Sequence, residues 1–206
     1  MGMPAPEARV SSVTMDHDLF AAINGLAGRD HVLDILSVAL SQFGPFVLLV
    51  ALCLIWFLPA TDSGRERRQR LVLVAAIGTA GSLLVNQILI HIWNRPRPFA
   101  VQAAVLLLPP SQDPSFPSDH ATFAFAVAVA LFFVSKRVGA PALVLAALIG
   151  FSRVYTGEHY VSDVVGGALI GMLATVAIAR ARPPLEPFLA GVLRLARRLR
   201  LATGPR

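Results

Sequence analysis

Residues 71–94 read LVLVAAIGTAGSLLVNQILIHIWN, with no Asp, Glu, Lys or Arg in the whole run. An α-helix of about 20 apolar residues crosses the hydrocarbon layer of a bilayer, so this stretch predicts a transmembrane helix. Uncharged stretches flank it at 35–61, 121–135, 138–152 and 164–179. The last three are shorter, but polar residues such as His120, Arg153, His159 and Asp163 extend them to the membrane surface, where such groups are tolerated. The expectation is an all-α, polytopic membrane helical bundle of five transmembrane helices. Gly44-Pro45 offers a sixth, because a proline there could split the first stretch into an interfacial or re-entrant helix and a true span, or into two short spans that would move the N-terminus across the membrane.

Composition agrees. The 206 residues are 55% hydrophobic and 15% charged, with a mean hydropathy of +0.66, against roughly 25% charged residues in an ordinary soluble domain. So apolar a chain is neither a soluble fold nor largely disordered, and a lone Cys53 excludes a disulfide scaffold. The net charge of +6 comes from arginines and a single Lys136 set between apolar blocks, which suits membrane flanks and not a nucleic-acid-binding face. Arg65, Arg67, Arg68 and Arg70 follow the first span, Lys136 and Arg137 separate the third and fourth, and seven further arginines follow the fifth. Positive-inside counting therefore puts these flanks and the C-terminus in the cytoplasm, and the 95–118 and 153–163 loops outside.

Residues 1–14 read as a disordered tail without the basic start and apolar run of a cleavable signal, and Asp16 to Ala27 as a short amphipathic helix. Residues 15–182 make the membrane-embedded domain. Residues 183–206 form a basic amphipathic tail, in which Pro187 to Ala202 either lies as a helix on an anionic leaflet or is solvated.

Three polar clusters fall at span ends on the outer side: Arg95 to Phe99, Ser115 to His120, and Ser152-Arg153 with His159 and Asp163. They offer guanidiniums, imidazoles, a hydroxyl and a carboxylate, but neither a cysteine nest nor an oxygen cage for a metal, so the inventory suits an anion. His159 and Asp163 share a helix face, where the carboxylate could fix the imidazole tautomer that leaves Nε2 free, or could form only a helix-end ion pair. Ser118 and Asp119 cap a helix whose exposed N–H groups would receive phosphate. His120 is placed either to donate a proton or as a plain interfacial histidine, and Arg97 and Arg153 either fork phosphate oxygens or anchor to headgroups.

Arg97-Pro98, Pro117-Ser118-Asp119-His120, and Ser152-Arg153 with His159 and Asp163 together resemble the three signature motifs of the type 2 phosphatidic acid phosphatase superfamily. Ile92 to Phe99, Ser115 to His120 and Ser152 to Tyr155 resemble, within it, the bacterial undecaprenyl-diphosphate phosphatases of the bacitracin-resistance type, over roughly residues 15–182. The resemblance implies that His159 attacks phosphorus, Asp163 orients it, and His120 protonates the leaving oxygen and then activates water. It implies that Arg97, Ser118 and Arg153 hold the phosphoryl oxygens, that no metal or other cofactor is used, and that the substrate is a polyprenyl diphosphate in the outer leaflet of a bacterial plasma membrane, the alternatives being another lipid phosphate as substrate or a non-catalytic lipid-binding membrane protein. Two positions depart from the pattern. The usual lysine seven residues before Arg97 falls on Ile90, so one phosphate contact comes from Arg95 or His91 or is absent, and Asp119 stands where glycine is usual, as in the undecaprenyl-diphosphate subgroup. The apolar segment Val105 to Leu108 could guide an isoprenoid chain or merely pack its loop.

Overall fold

A computed structural model describes residues 6–58, 61–199 and 201–202. Among them the chain forms eight helices and no strand: α1 (Pro6–Asn24), α2 (His31–Phe57), α3 (Asp62–Ile92), α4 (Pro98–Val101), α5 (Asp119–Val134), α6 (Lys136–Tyr155), α7 (Val161–Arg180) and α8 (Arg182–Arg198). Helices α2, α3, α6 and α7 are long and apolar enough to cross a membrane, and α5 is a shorter apolar helix among them. These five helices fall on the five stretches expected to span.

α5 packs against α2, α3, α6 and α7. At 16 residues it is about 24 Å long, less than the hydrocarbon thickness. Its central place makes that length sufficient, since its neighbours shield it from lipid. Ala121, Ala124, Ala126, Ala128 and Ala130 are all buried, and such small side chains let four helices crowd around one. The largest apolar cluster joins Leu48, Leu52 and Ile55 of α2 to Val72 of α3, Leu131 of α5 and Ile149 of α6. On the outer face of α2, Ile35, Phe43, Phe46, Val50 and Leu54 stay exposed, a pattern suited to lipid contact.

Helix α2 runs unbroken through Gly44-Pro45, so the first stretch is one span and not two. Asp30 caps it, its Oδ1 accepting from the Val32 and Leu33 N–H groups at 2.9 and 3.0 Å. Gly44 serves helix contact instead of a break: a Cβ there would lie 2.6 Å from the Ile149 side chain of α6. Proline inside the helix removes one N–H donor, a loss that helices packed within a membrane bundle tolerate.

The spans alternate in direction, so the 93–118 and 156–160 loops meet at one end of the bundle. Helix α1 docks at that end, with Phe20 buried against Tyr160 and Val154. It begins at Pro6, so residues 6–14, expected to be unstructured, continue the helix that docks from Asp16 onward, and residues 1–5 lie outside the described set. Extending a nucleated helix costs far less than starting one. At the opposite end α8 buries Leu189 and Leu193, pairs Glu186 with Arg70, and places Arg197 3.1 Å from Glu66. The basic tail is thus a docked amphipathic helix, and residues 203–206 lie outside the described set.

α5 and α7 touch through glycine: a Cβ on Gly171 would sit 2.2 Å from the Thr122 carbonyl oxygen, whereas one on Gly81 would meet nothing within 4 Å. Gly171→Ala is therefore expected to destabilise by about 1–3 kcal/mol through overpacking, and Gly81→Ala to leave stability unchanged or slightly raised. Melting temperatures in detergent check the pair, and equal values for both variants would contradict this packing.

Candidate active site

A polar cavity of about 120 Å³ opens where the ends of α3, α5 and α6 meet the two loops. Arg97, His120, Arg153 and His159 all line it, together with Ile90, Asp113 and Asp119. Residues from three separate stretches of sequence are thereby gathered on one small space.

His159 reaches the cavity because the chain reverses after α6. Gly157 takes φ +88°, a conformation that other residues rarely adopt, and a Cβ there would lie 2.6 Å from the Val105 carbonyl. The N–H groups of Glu158 and His159 then both return to the Arg153 carbonyl, at 3.1 and 3.2 Å. The imidazole is almost fully buried. Its Nδ1 lies 2.8 Å from the Ser115 carbonyl oxygen, so Nδ1–H donates to that carbonyl and Nε2 keeps its lone pair, 3.5 Å from Arg97 Nη1. Burial pushes the His159 pKa down to about 4, the Arg153 and Arg97 charges act in the same direction, and Asp163 partly opposes them. The ring is neutral at pH 7.

Asp163 does not hold His159 in the expected way. Its Oδ2 is 3.8 Å from Nδ1, beyond hydrogen-bond distance, and His159 lies in the loop just before Tyr160, the N-cap of the helix that carries Asp163. The carboxylate instead accepts from Ser115 Oγ at 2.5 Å, from the Tyr160 N–H at 2.8 Å, and from Arg95 Nη1 at 2.6 Å. It thus acts on His159 through Ser115, whose hydroxyl it fixes and whose carbonyl fixes the ring. The helical spacing rule expects the pair on one face, but the helix starts after His159, and Ser115 of a distant loop enters between the two side chains.

Arg95, counted among the phosphate ligands from sequence, does not line the cavity. One arm of its guanidinium bonds Asp163 and Ser162, the other bonds Asp16 of α1 at 2.7 Å, and it lies over the Tyr160 ring at 4.3 Å. Two carboxylates offer it more than a solvent-facing site would. His91 is exposed and bonds the Gln87 carbonyl of its own helix, so neither candidate replaces the lysine that Ile90 lacks. Ile90 itself borders the cavity.

Ser118 is buried behind the cavity wall. Its N–H bonds the Asp163 carbonyl at 3.1 Å and its hydroxyl caps α5. The first-turn N–H groups of α5 still lack helical partners, as in any helix, and Asp119 and His120 border the cavity at that terminus. Arg153 is held by Ser41 of α2 at 2.6 Å, and Arg97 by the Asp113 carbonyl at 2.7 Å. Burial pulls the Arg97 pKa down while Glu158 opposes the shift. The segment around Val105 packs its loop: Asn24 clamps the Val105 N–H and C=O at 2.8 Å each, and the Leu107 N–H reaches the Thr156 carbonyl.

Four contributors escaped the sequence reading. Ser115 lay in the second cluster without a role, Ser41 and Glu158 looked like ordinary polar residues, and Asn86 sat in mid-span. Asn86 is fully buried and donates to Asp119 and Thr122, both at 2.8 Å, which turns the Asp119 carboxylate toward α3. A buried amide in a span was the one available signal.

Beside the cavity, an apolar groove of about 350 Å³ runs between α2, α3 and α5, lined by Pro45, Phe46, Leu83 and Phe123. Asp119 and His120 border both spaces. Such a pair of sites suits an amphiphile whose anionic head enters one space and whose hydrocarbon enters the other.

Comparison with known proteins agrees with the geometry. Residues 70–186 match the PAP2 superfamily. The undecaprenyl-diphosphatase BcrC of Bacillus subtilis (strain 168) is 32% identical over 181 residues, 88% of this chain and 91% of that protein. An undecaprenyl-diphosphatase of Sulfolobus acidocaldarius is 30% identical over 162 residues, 76% of this chain and 69% of that protein. The crystal structure of a transmembrane PAP2 type phosphatidylglycerolphosphate phosphatase from Bacillus subtilis superposes with a TM-score of 0.66 at 26% identity, over 85% of this chain and 88% of that one. From the match to more than half its length, the membrane-spanning helices and the convergence of all three motifs on one cavity, it follows that this multi-pass membrane protein belongs to the PAP2 superfamily.

Proposed function

We propose that the chain hydrolyses undecaprenyl diphosphate to undecaprenyl phosphate and phosphate at the outer face of a bacterial plasma membrane. The observation that carries this reading is the meeting of two imidazoles and two guanidiniums on a phosphate-sized cavity that shares His120 with an apolar groove. The undecaprenyl-diphosphatases among the relatives support the lipid and the leaving group. The orientation is supported by charge: Arg65, Arg67, Arg68, Arg70, Lys136 and Arg137 lie at the end of the bundle remote from the cavity, as cytoplasmic flanks should. That same end carries α8.

The reaction runs in two steps. Neutral His159 attacks the terminal phosphorus through Nε2, and the bond from phosphorus to the bridging oxygen breaks as His120, protonated, donates to that oxygen. Undecaprenyl phosphate leaves and a phosphohistidine remains. His120 then takes a proton from water, the hydroxide attacks phosphorus, and inorganic phosphate departs as Nε2 regains its lone pair. Arg97 and Arg153 face the equatorial oxygens with fixed positive charge, and stabilisation of this kind in a water-poor site is commonly the largest part of catalysis. Ser118 contributes by capping α5, and Asp163, Ser115 and Arg95 hold the nucleophile in place. No step calls for a metal.

His159→Ala and His120→Ala are each expected to lower turnover at least about a thousandfold, with the first forming no acid-quenched phosphoenzyme and the second both forming and hydrolysing it slowly. Full activity in either variant would refute the assignment. Rates on undecaprenyl diphosphate, undecaprenyl phosphate, phosphatidic acid and phosphatidylglycerol phosphate in EDTA test substrate and metal together. The diphosphate is expected to lead, undiminished by the chelator.

With His159 depressed to about 4, its lone pair stays available as pH falls from neutrality and is lost only as pH passes below that value. The acid limb that His159 contributes to kcat/KM is therefore expected below pH 5, and a limb assigned to His159 near 6.5 by its loss in a phosphoenzyme-formation assay would contradict the burial argument. Because Ile90 borders the cavity, Ile90→Lys is expected to lower KM about tenfold by adding a third cation. An unchanged KM would mean that the two arginines already suffice.

A further inference from the structure

Glu158 is a buried carboxylate of the site that the two-step scheme leaves unused. It is 1% exposed and immediately precedes the nucleophile. Its Oε2 accepts from Arg97 Nη1 at 2.7 Å and lies 3.6 Å from Arg153 Nη2, and its backbone carbonyl accepts from the same Arg97 nitrogen at 3.1 Å. Its Oε1 has no hydrogen-bond partner, and neither does Arg153 Nε. Glu158 is not among the residues lining the cavity, so it stands behind the two guanidiniums and meets any bound phosphate only through them.

The charge balance is unusual for a phosphate pocket. Ile90 supplies no cation, and one carboxylate sits at ion-pair distance from both arginines that remain. We propose that Glu158 is a positioning residue with a counter-charge role: it holds the forks of Arg97 and Arg153 toward the cavity and weakens the pocket's grip on free phosphate, so that the product leaves. This rests on the phosphatase reading of the same cavity. A pocket that binds its product tightly stabilises the wrong state, because binding that is equal before and after the transition state adds nothing to turnover. A buried negative charge behind each guanidinium lowers the attraction for phosphate while leaving the donor geometry in place.

The two effects of the carboxylate separate chemically. Glu158→Gln keeps the shape and an oxygen that accepts from Arg97 but removes the charge. In the full-length protein in detergent, the dissociation constant for inorganic phosphate, followed by ³¹P NMR titration, is expected to fall at least about tenfold in E158Q. Phosphate is likewise expected to become a stronger product inhibitor, with kcat and KM on undecaprenyl diphosphate both lowered. A role confined to structure predicts the opposite sign, since a loosened Arg97 would bind phosphate less well. Unchanged or weaker phosphate binding in folded E158Q overturns the proposal.

If E158Q does not fold, Glu158→Asp decides, because it retains the charge one methylene further back. Its phosphate affinity is expected to stay within about threefold of the unmodified protein, and tenfold weaker binding would identify a purely structural contact. Should neither the unmodified protein nor E158Q bind phosphate, the phosphatase reading falls and this proposal with it. Should the unmodified protein bind and E158Q bind no tighter, only the role of Glu158 falls.

Discussion

A single buried carboxylate ties the site together. Asp163, wholly inaccessible to solvent, takes a hydroxyl from Ser115, a backbone N–H from Tyr160 and a guanidinium arm from Arg95. These donors come from the loop before α5, the start of α7 and the loop after α3. An ionised carboxylate left unpaired at that depth would be strongly destabilising, and removing one partner of a buried pair costs about 3–5 kcal/mol. The three segments are therefore held together by the need to satisfy one charge, and His159, the proposed nucleophile, inherits its orientation from the result, through the carbonyl of Ser115.

The same network extends to α1. The other arm of Arg95 bonds Asp16, which also accepts from the Ser162 N–H and hydroxyl, so a helix outside the membrane-spanning bundle is fastened to the start of α7. Beneath it, Phe20 and Tyr160 pack edge to face. Asn24, at the end of α1, clamps the Val105 backbone and donates to the Tyr155 carbonyl, closing the loop that carries Glu158 and His159 from outside. Arg95 is thus engaged by carboxylates within the protein, whereas Arg97 and Arg153 line the cavity.

Charge and packing divide the molecule lengthwise. One end gathers the cavity, its arginines paired or poised; the other gathers the arginine-rich turns and α8. Between them, α5 with its small buried side chains acts as the common surface for four other helices, and its N-terminus delivers His120 to the cavity and the groove together.

Much of this was legible along the chain. Uncharged runs reported the spans, because a bilayer penalises charge wherever a helix faces it, and the clustered arginines reported which ends lie together. The motifs that hold Arg97, His120, Arg153 and His159 pointed to phosphate chemistry through their resemblance to a phosphatase superfamily, and the fold brings those four side chains onto one cavity. Local periodicity also predicted one helix face for His159 and Asp163, although the helix begins only after His159. What it could not supply was any contact between residues far apart in sequence: that Ser115 intervenes between that pair, that Arg95 turns away from phosphate toward Asp16, that Gly44-Pro45 is a packing notch against Ile149 in place of a break, or that Glu158 backs both arginines. Each of these is decided by which buried polar group or side chain lies nearest once the helices have packed, and that proximity exists only in three dimensions.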